Sequence, residues 1–357
     1  MAGLSFPIDV ADAARRQFWR VSAKTTLGRL CIEDRATRLA VIAISSMGVS
    51  LALAVIAPMW LFLLAPIFLG LPHVVGDVRY LIVRPPAPVS RAFLFALALP
   101  FVAQTGLRIW TMLGGERMAF GEVALGVAAV ALALLFAPGA WWRRALVALC
   151  IAPVAWWALN KPSLAGLALA HLHNFIAVAF WMFLASRALP VFKTAAVGMF
   201  FLACCALIML GFFDAATARC MGFAEPVPMF SIESWTRVLA PGLSHTLALR
   251  LVQTYIFAQS VHYLVWLRLV PQQLNEVAAP TTFRQDVRSL RQDFGWIGLA
   301  VIVVSTLAIP AYALVDAPRA NTMYLSLVIF HGWFELACIA YFAVRGFSPG
   351  MPAGVTR

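Results

Sequence analysis

Charge is what this sequence has least of: of 357 residues, 12% are Asp, Glu, Lys or Arg, while 62% are hydrophobic. A water-soluble domain could not solvate so apolar a surface, which excludes soluble enzymes and nucleic-acid-binding modules. Cysteine offers no framework either. Cys31, Cys150, Cys204, Cys205, Cys220 and Cys338 lie mostly inside apolar runs and never as CxxC, a placement that fits small hydrophobes rather than disulfides or a zinc cluster. Internal repeats and low-complexity tracts are absent, so solenoid architectures are set aside. The first 36 residues hold no short apolar region with a small-residue cleavage site; the first apolar helix is expected to act as the targeting signal.

What the sequence does have is a succession of apolar runs, with a mean hydropathy of +0.87. A helix needs about 20 apolar residues to cross the hydrocarbon core. Ten stretches qualify: 38–57, 59–82, 92–113, 118–138, 144–159, 162–186, 194–213, 244–269, 295–315 and 322–344. The expected fold is therefore all-α, a polytopic transmembrane helical bundle of about ten helices. Residues 1–37 form a basic amphipathic cytoplasmic segment, 38–345 the transmembrane domain and 346–357 a C-terminal tail.

The formal charge of +12 comes from 27 Lys and Arg against 15 Asp and Glu, and its distribution orients the chain. With the N-terminus inside, 20 of the 27 basic residues fall on the cytoplasmic side and five, Arg117, Lys161, Arg219, Arg237 and Arg319, on the other. That asymmetry follows the positive-inside rule and puts both termini in the cytoplasm, with a bacterial inner (plasma) membrane as the expected location. Arg108 and Arg250 fall inside spans near their outer ends, where long side chains can snorkel to headgroups or meet an anionic head. Residues 8–30 interleave Phe18, Trp19, Val21 and Leu27 with Arg15, Arg16, Arg20 and Lys24, the pattern of a helix lying on an anionic leaflet. The loop 214–243, with Asp214, Glu225 and Glu233, is expected to cap the outer face.

All six histidines fall inside these spans, although an unsatisfied polar ring in hydrocarbon costs several kcal/mol. His73, His171, His173, His262 and His331 lie on the second, sixth, eighth and tenth spans, which run in the same direction. At a rise of about 1.5 Å per residue, all five sit within about 8 Å of the midplane. His245 is at an outer end and reads as interfacial. Asp77 follows His73 by four residues and Glu335 follows His331 by four, so each carboxylate shares a helix face with its histidine. Histidine with carboxylate is a ligand set for non-haem iron with open positions. A carboxylate at this spacing can also orient a ligating ring. His171 and His173 point about 200° apart, so one of them is expected to ligate; His171, with Asn174 on its face, is the first choice. Tyr255, Gln259, His262 and Trp266 form one stripe that faces protein or a cavity. Tyr80, Tyr255, Gln259 and Trp333 are the expected lining of a substrate pocket.

The second span carries Gly70-Leu71-Pro72-His73 followed by Asp77, which resembles the Pro-His-Gly-x-x-Asp type of motif in the bacterial Brp/Blh group of membrane carotenoid-cleaving dioxygenases. The stretch Tyr255 to His262 is similar to that family's later histidine-bearing helix. The resemblance covers these two short motifs; Val74 stands where the family has glycine, and Ala258 where the later helix has a second histidine. It implies a polytopic membrane protein with histidines from several helices around non-haem iron, His262 among the ligands, and a carotenoid-like substrate.

The expected function is thus a membrane-embedded metal-dependent oxidoreductase, a non-haem iron oxygenase acting on a carotenoid-like or other lipophilic substrate. Haem and zinc are the alternative cofactors. A transporter or channel relaying protons or ions through the same polar residues, and a scaffold that binds partner helices through them, are the alternative functions. Membrane lipid and the lipophilic substrate are the expected partners, with no nucleic acid.

Overall fold

The computed structural model describes residues 5–186, 189–224, 230–274 and 281–346. Among these residues there is no strand; the chain is a succession of helices. They are α1 (Ser5–Ser22), α2 (Thr26–Glu33), α3 (Arg35–Ile56), α4 (Pro58–Val78), α5 (Arg91–Met112), α6 (Ala119–Phe136), α7 (Trp141–Asn160), α8 (Pro162–Ala185), α9 (Val191–Met209), α10 (Asp214–Ala224), α11 (Ile232–Leu239), α12 (His245–Leu264), α13 (Val270–Leu274), α14 (Phe283–Ala313), α15 (Ala317–Leu327) and α16 (Phe330–Arg345). Two π-helical turns, Arg79–Val83 and Val265–Leu269, extend α4 and α12.

Among the described residues nine helical stretches are long and apolar enough to cross a bilayer, with α4 running on to Val83 and α15 with α16 counting as one. The chain is an integral membrane protein on that ground. Its exterior agrees: Phe95, Leu99 and Val102 on α5, and Ile297 and Val304 on α14, are each more than two-thirds exposed, a surface only lipid could cover. The stretch 244–269 is not among the nine. Its helix α12 buries Gln253, Thr254, Gln259, Ser260 and His262, and these polar residues dilute its hydropathy. Gly295, at φ 67°, breaks α14 into a polar first part and an apolar second part, so the apolar span begins where the sequence placed it. The tail from 347 onward and Glu225 lie outside the described residues.

The chain divides into two compact units. The first comprises Met1–Leu61 and Ala177–Leu307. Here α3 packs against α2, α9, α10 and α12, and α12 also against α9 and α11. Every residue of α12 from Val252 to Tyr263 is buried. Asp34 separates α2 from α3 and caps α3, accepting from the amides of Ala36 and Thr37 at 3.0 and 3.2 Å. The Lys193 ammonium and the Thr37 hydroxyl also bond this carboxylate, and together they hold it well below the usual carboxylate range. Arg38 turns back to donate to the carbonyls of Cys31 and Ile32, closing the C-terminal end of α2.

The second unit comprises Phe62–Ile176 and Ala308–Arg357. Within it α6 packs against α5, α7 and α16, while α5 also meets α15. Arg108 on α5 donates to Glu122 on α6 at 2.7 Å, and Gln104 donates to the Glu122 carbonyl at 2.6 Å. Arg108 therefore does not snorkel, and the same correction applies to Arg250 in the first unit, which forks onto Asp214 with contacts from 2.6 to 3.2 Å. Each arginine finds a carboxylate of the protein, buried in the case of Glu122 and partly exposed in the case of Asp214.

Prolines interrupt several spans, and two of the carbonyls they orphan are mended in the same way. Pro66 has no amide hydrogen for the carbonyl of Phe62, and Asn321 on α15 donates its side-chain amide there instead, at 3.0 Å. In the first unit Pro58 leaves the carbonyl of Ala54, and Gln253 on α12 donates to it at 2.9 Å. Both repairs bury an amide side chain to avoid an unpaired backbone group.

Candidate metal centre

The second unit gathers three histidines and two carboxylates, all buried: His73 and Asp77 from α4, His173 from α8, and His331 and Glu335 from α16. The ring of His331 stands between the other two. Its centroid is 5.1 Å from that of His73 at an interplanar angle of 82°, and 4.9 Å from that of His173 at 88°. Asp77 and Glu335 are close enough to act on one another electrostatically and on the thiol of Cys338, one turn beyond Glu335.

Local backbone defects put these groups in place. Pro72 immediately precedes His73, and the π turn Arg79–Val83 begins two residues after Asp77; such turns recur at functional sites because they re-aim side chains. The break between α15 and α16 exposes the carbonyl of Val328, and the ring of His331 accommodates it with an Nδ1 contact of 2.6 Å. His173 does the same on an unbroken helix, with Nδ1 at 2.9 Å from the carbonyl of Leu169. The ring of His73 bonds the backbone at Gly70 and Leu69.

These contacts fix chemistry as well as orientation. A carbonyl oxygen only accepts, so Nδ1 of His173 and of His331 must carry the hydrogen. Nε2 is then the nitrogen that holds the lone pair in each ring, the state a metal ligand requires. Backbone carbonyls therefore do the orienting that a carboxylate usually does for a ligating histidine.

Charge points the same way. Both carboxylate oxygens of Asp77 are buried and make no hydrogen bond among the described residues. Two buried carboxylates that act on one another at membrane depth repel unless a proton or cation offsets their charge. Three neutral imidazoles, two carboxylates and one divalent cation sum to zero charge.

Tyr324 of α15 completes the surroundings, with its hydroxyl 3.5 Å from Nδ1 of His73. Gly70 makes that approach possible, since a Cβ there would fall 2.3 Å from the Tyr324 ring. Sequence reasoning missed Tyr324, which the break between α15 and α16 separates from the helix of His331; Cys338, seven residues after His331 on α16, shares its helical face.

The remaining expected site residues fall as follows. His173, not His171, is the sixth-span histidine beside His331; His171 is half-buried on another face of α8. Trp333 is turned away from the cluster, as its two-residue offset from both His331 and Glu335 requires. It packs over Gly126 with Val123, Val127, Ala158, Leu159 and Ala165, as a core residue rather than a pocket wall. Tyr80 is buried within the π turn, with its hydroxyl accepting from Arg79 at 3.2 Å. In the first unit, Gln259 donates to the Tyr255 hydroxyl at 3.3 Å, Trp266 stacks on Phe180 at 5.8 Å, and His262 is fully buried on the same stripe. His245 is exposed and 3.5 Å from Glu233, an interfacial pair.

No protein-family model matches the chain, and no curated protein or solved structure is found to be similar to it.

Proposed function

We propose that the second unit holds a single non-haem iron ion and that the protein is a membrane-embedded oxygenase acting on a lipophilic substrate. The observation that carries the reading is the pairing of Nδ1-anchored histidines with a carboxylate, Asp77, whose oxygens have no hydrogen bond among the described residues. Two imidazoles bound through Nε2 at about 2.1 Å and roughly 90–110° apart bring their ring centroids to about 4.5–5.2 Å. The observed 5.1 Å between His73 and His331 lies in that range. Two axial imidazoles on opposite sides of a haem iron would instead hold their centroids about 6.4 Å apart. The spacing therefore favours an ion over haem. Mixed nitrogen and carboxylate donors favour iron over structural zinc, which prefers a closed tetrahedral set.

In this reading His73 and His331 ligate through Nε2, Asp77 or Glu335 supplies an anionic oxygen, and His173 packs edge-on against the ring of His331 and holds it in place. Bound ferrous iron would contribute dioxygen activation at a position the protein leaves open. The carboxylate that does not ligate holds or returns a proton, and Tyr324 steadies the ring of His73. A polyene such as β-carotene is the first substrate to test, on the strength of the Gly70-to-Asp77 resemblance. The same reading takes α12 as a tenth crossing and places both termini in the cytoplasm of a bacterial inner membrane, which the distribution of arginines supports.

The test is metal analysis with an absorption spectrum on protein purified anaerobically in detergent. About one iron per chain, without a haem Soret band, is the expected result. Folded protein without a stoichiometric transition metal overturns the proposal. In that case the Asp77 and Glu335 pair sharing one proton becomes the better account, and a pH-dependent flux in proteoliposomes is its signature.

A further inference from the structure

In the first unit α1 faces the opposite way from what its arginines suggest in the sequence. Asp12, Arg15, Arg16 and Trp19 share one side of this helix and line a cleft with Ile32 of α2 and with Thr281 and Thr282 ahead of α14. The charge on this side is engaged by α14. Asp12 accepts from the amides of Phe283 and Arg284 at 2.7 and 3.4 Å, and Asp9 pairs with the Arg284 guanidinium. Arg15 reaches Asp286 at 3.7 Å and lies over the Phe283 ring at 5.0 Å. This clamp matters to α14, which along its whole length buries only Ile309 among the described residues.

The opposite side of α1 carries no charge. Val10, Ala14, Gln17 and Val21 recur there at i, i+4, i+7 and i+11, flanked by Ala13 and Phe18, and all six are exposed. Phe18 is 61% exposed, Val21 54% and Val10 53%. A helix in water keeps its charge outside and its apolar side chains inside; α1 does the reverse, and such a surface needs a cover other than water. Its place in the unit says which cover. It packs against α2, which ends at Glu33, and the span α3 starts at Arg35. Its charged side holds the polar first part of α14, whose apolar part follows Gly295. Fastened to the starts of two spans, α1 lies where hydrocarbon gives way to headgroups, and its uncharged face continues the lipid-covered exterior.

We propose that the uncharged face of α1 is a lipid-contact surface, with Val10, Phe18 and Val21 inserted among the acyl chains just below the headgroups while Asp12 and Arg15 face protein. Through Asp9, Asp12 and Arg15 the inserted helix anchors the start of α14 to the leaflet. Attachment follows apolar area removed from water and is indifferent to lipid charge.

The experiment is a nitroxide depth measurement on the full chain in proteoliposomes, with the label carried on p-acetylphenylalanine so that the native cysteines stay untouched. Labels replacing Phe18 or Val21 are expected about 5–10 Å into the headgroup and acyl boundary, open to oxygen and shielded from a water-soluble nickel chelate. A label replacing Arg16 is expected at or above the phosphates and open to the chelate. Depths at 18 and 21 should be the same in phosphatidylcholine alone and with phosphatidylglycerol added, and unchanged by R20Q. V10Q/F18Q, which alters only exposed side chains, should move the label at 21 out toward water. Equal chelate access at 16 and 18 overturns the proposal. So does insertion that requires phosphatidylglycerol, which would return the role to the arginines. Shielding of position 18 from oxygen and chelate alike overturns the lipid assignment in favour of a protein cover such as a second copy of this chain.

Discussion

Both units break a helix with proline and repair the break with a buried amide, but they spend their remaining polar groups differently. In the first, deep polar side chains are tied to backbone or to opposite charge: Gln253 to Ala54 and Thr217, Arg38 to α2, Arg250 to Asp214. In the second, Asn321 and the Arg108–Glu122 pair do the same, yet Pro72 then introduces His73, and the oxygens of Asp77, within the electrostatic reach of Glu335, make no hydrogen bond among the described residues. Mending a backbone uses polarity to satisfy what folding leaves over. Placing two carboxylates together creates a new deficit, which natural sequences tolerate where a ligand removes it.

The sharpest way to break this contrast is to remove a histidine. His331→Ala loses the ring that stands between His73 and His173, and iron content is expected to fall by at least about 100-fold in affinity, the upper range for disrupting a metal site's support. Gln253→Ala in the first unit should leave iron unchanged. Retention of iron by the His331 variant would dissolve the distinction between the units. His171→Ala, on another face of α8, should behave like wild type.

The carboxylates sharpen the comparison further because stability and metal binding should move in opposite directions. Asp77→Asn keeps the shape and removes a buried charge. Iron affinity is expected to fall roughly 10–100-fold, while the metal-free protein becomes more resistant to heat, since repulsion with Glu335 is relieved. Metal titration and thermal unfolding of the apo-protein, measured together, check both signs. A fall in apo-protein stability would make Asp77 a structural residue like Asp214.

Asn321→Ala and Gln253→Ala then test the feature the units share. Each strands a buried carbonyl that a proline cannot serve, at an expected cost of about 1–3 kcal/mol in unfolding free energy. Asn321 also supports the segment that carries Tyr324, so its variant should lower iron affinity as well, whereas the Gln253 variant should not.

How much of this could be read from the sequence differs between fold and site for physical reasons. Hydropathy locates spans well because lipid makes one demand on every exposed residue, and even the kink at Gly295 falls at the edge of an apolar run. It fails on α12, whose interior polar residues mask a helix buried on all sides. Spacing of four puts Asp77 with His73 and Glu335 with His331. It could not choose between His171 and His173, which depends on how α8 is rotated against α16. Trp333 was open to exclusion from sequence, because an offset of two on a helix reverses direction. The part played by Gly70 was not, since only Tyr324, about 250 positions later, explains why a side chain is forbidden there.

The smallest expected effect lies at Asp34, in the first unit, where an ion pair and a helix cap share one carboxylate. Its bonds to Lys193 and Thr37 depress its folded pKa, so it adds stability that is fully present above the unfolded value of about 3.9. That contribution is lost only as pH falls through the lower folded value. Lys193→Met and Asp34→Asn should therefore cost the same at pH 6 and pH 8. Because the Asp34 side chain is 43% exposed, the ion pair is screened and its cost stays below about 1 kcal/mol. Asp34→Ala should cost about 1 kcal/mol more than Asp34→Asn, since alanine cannot accept from the amides of Ala36 and Thr37. Unfolding in detergent at the two pH values separates cap from charge: a loss that grew between pH 6 and pH 8 would show that another group titrates against Lys193.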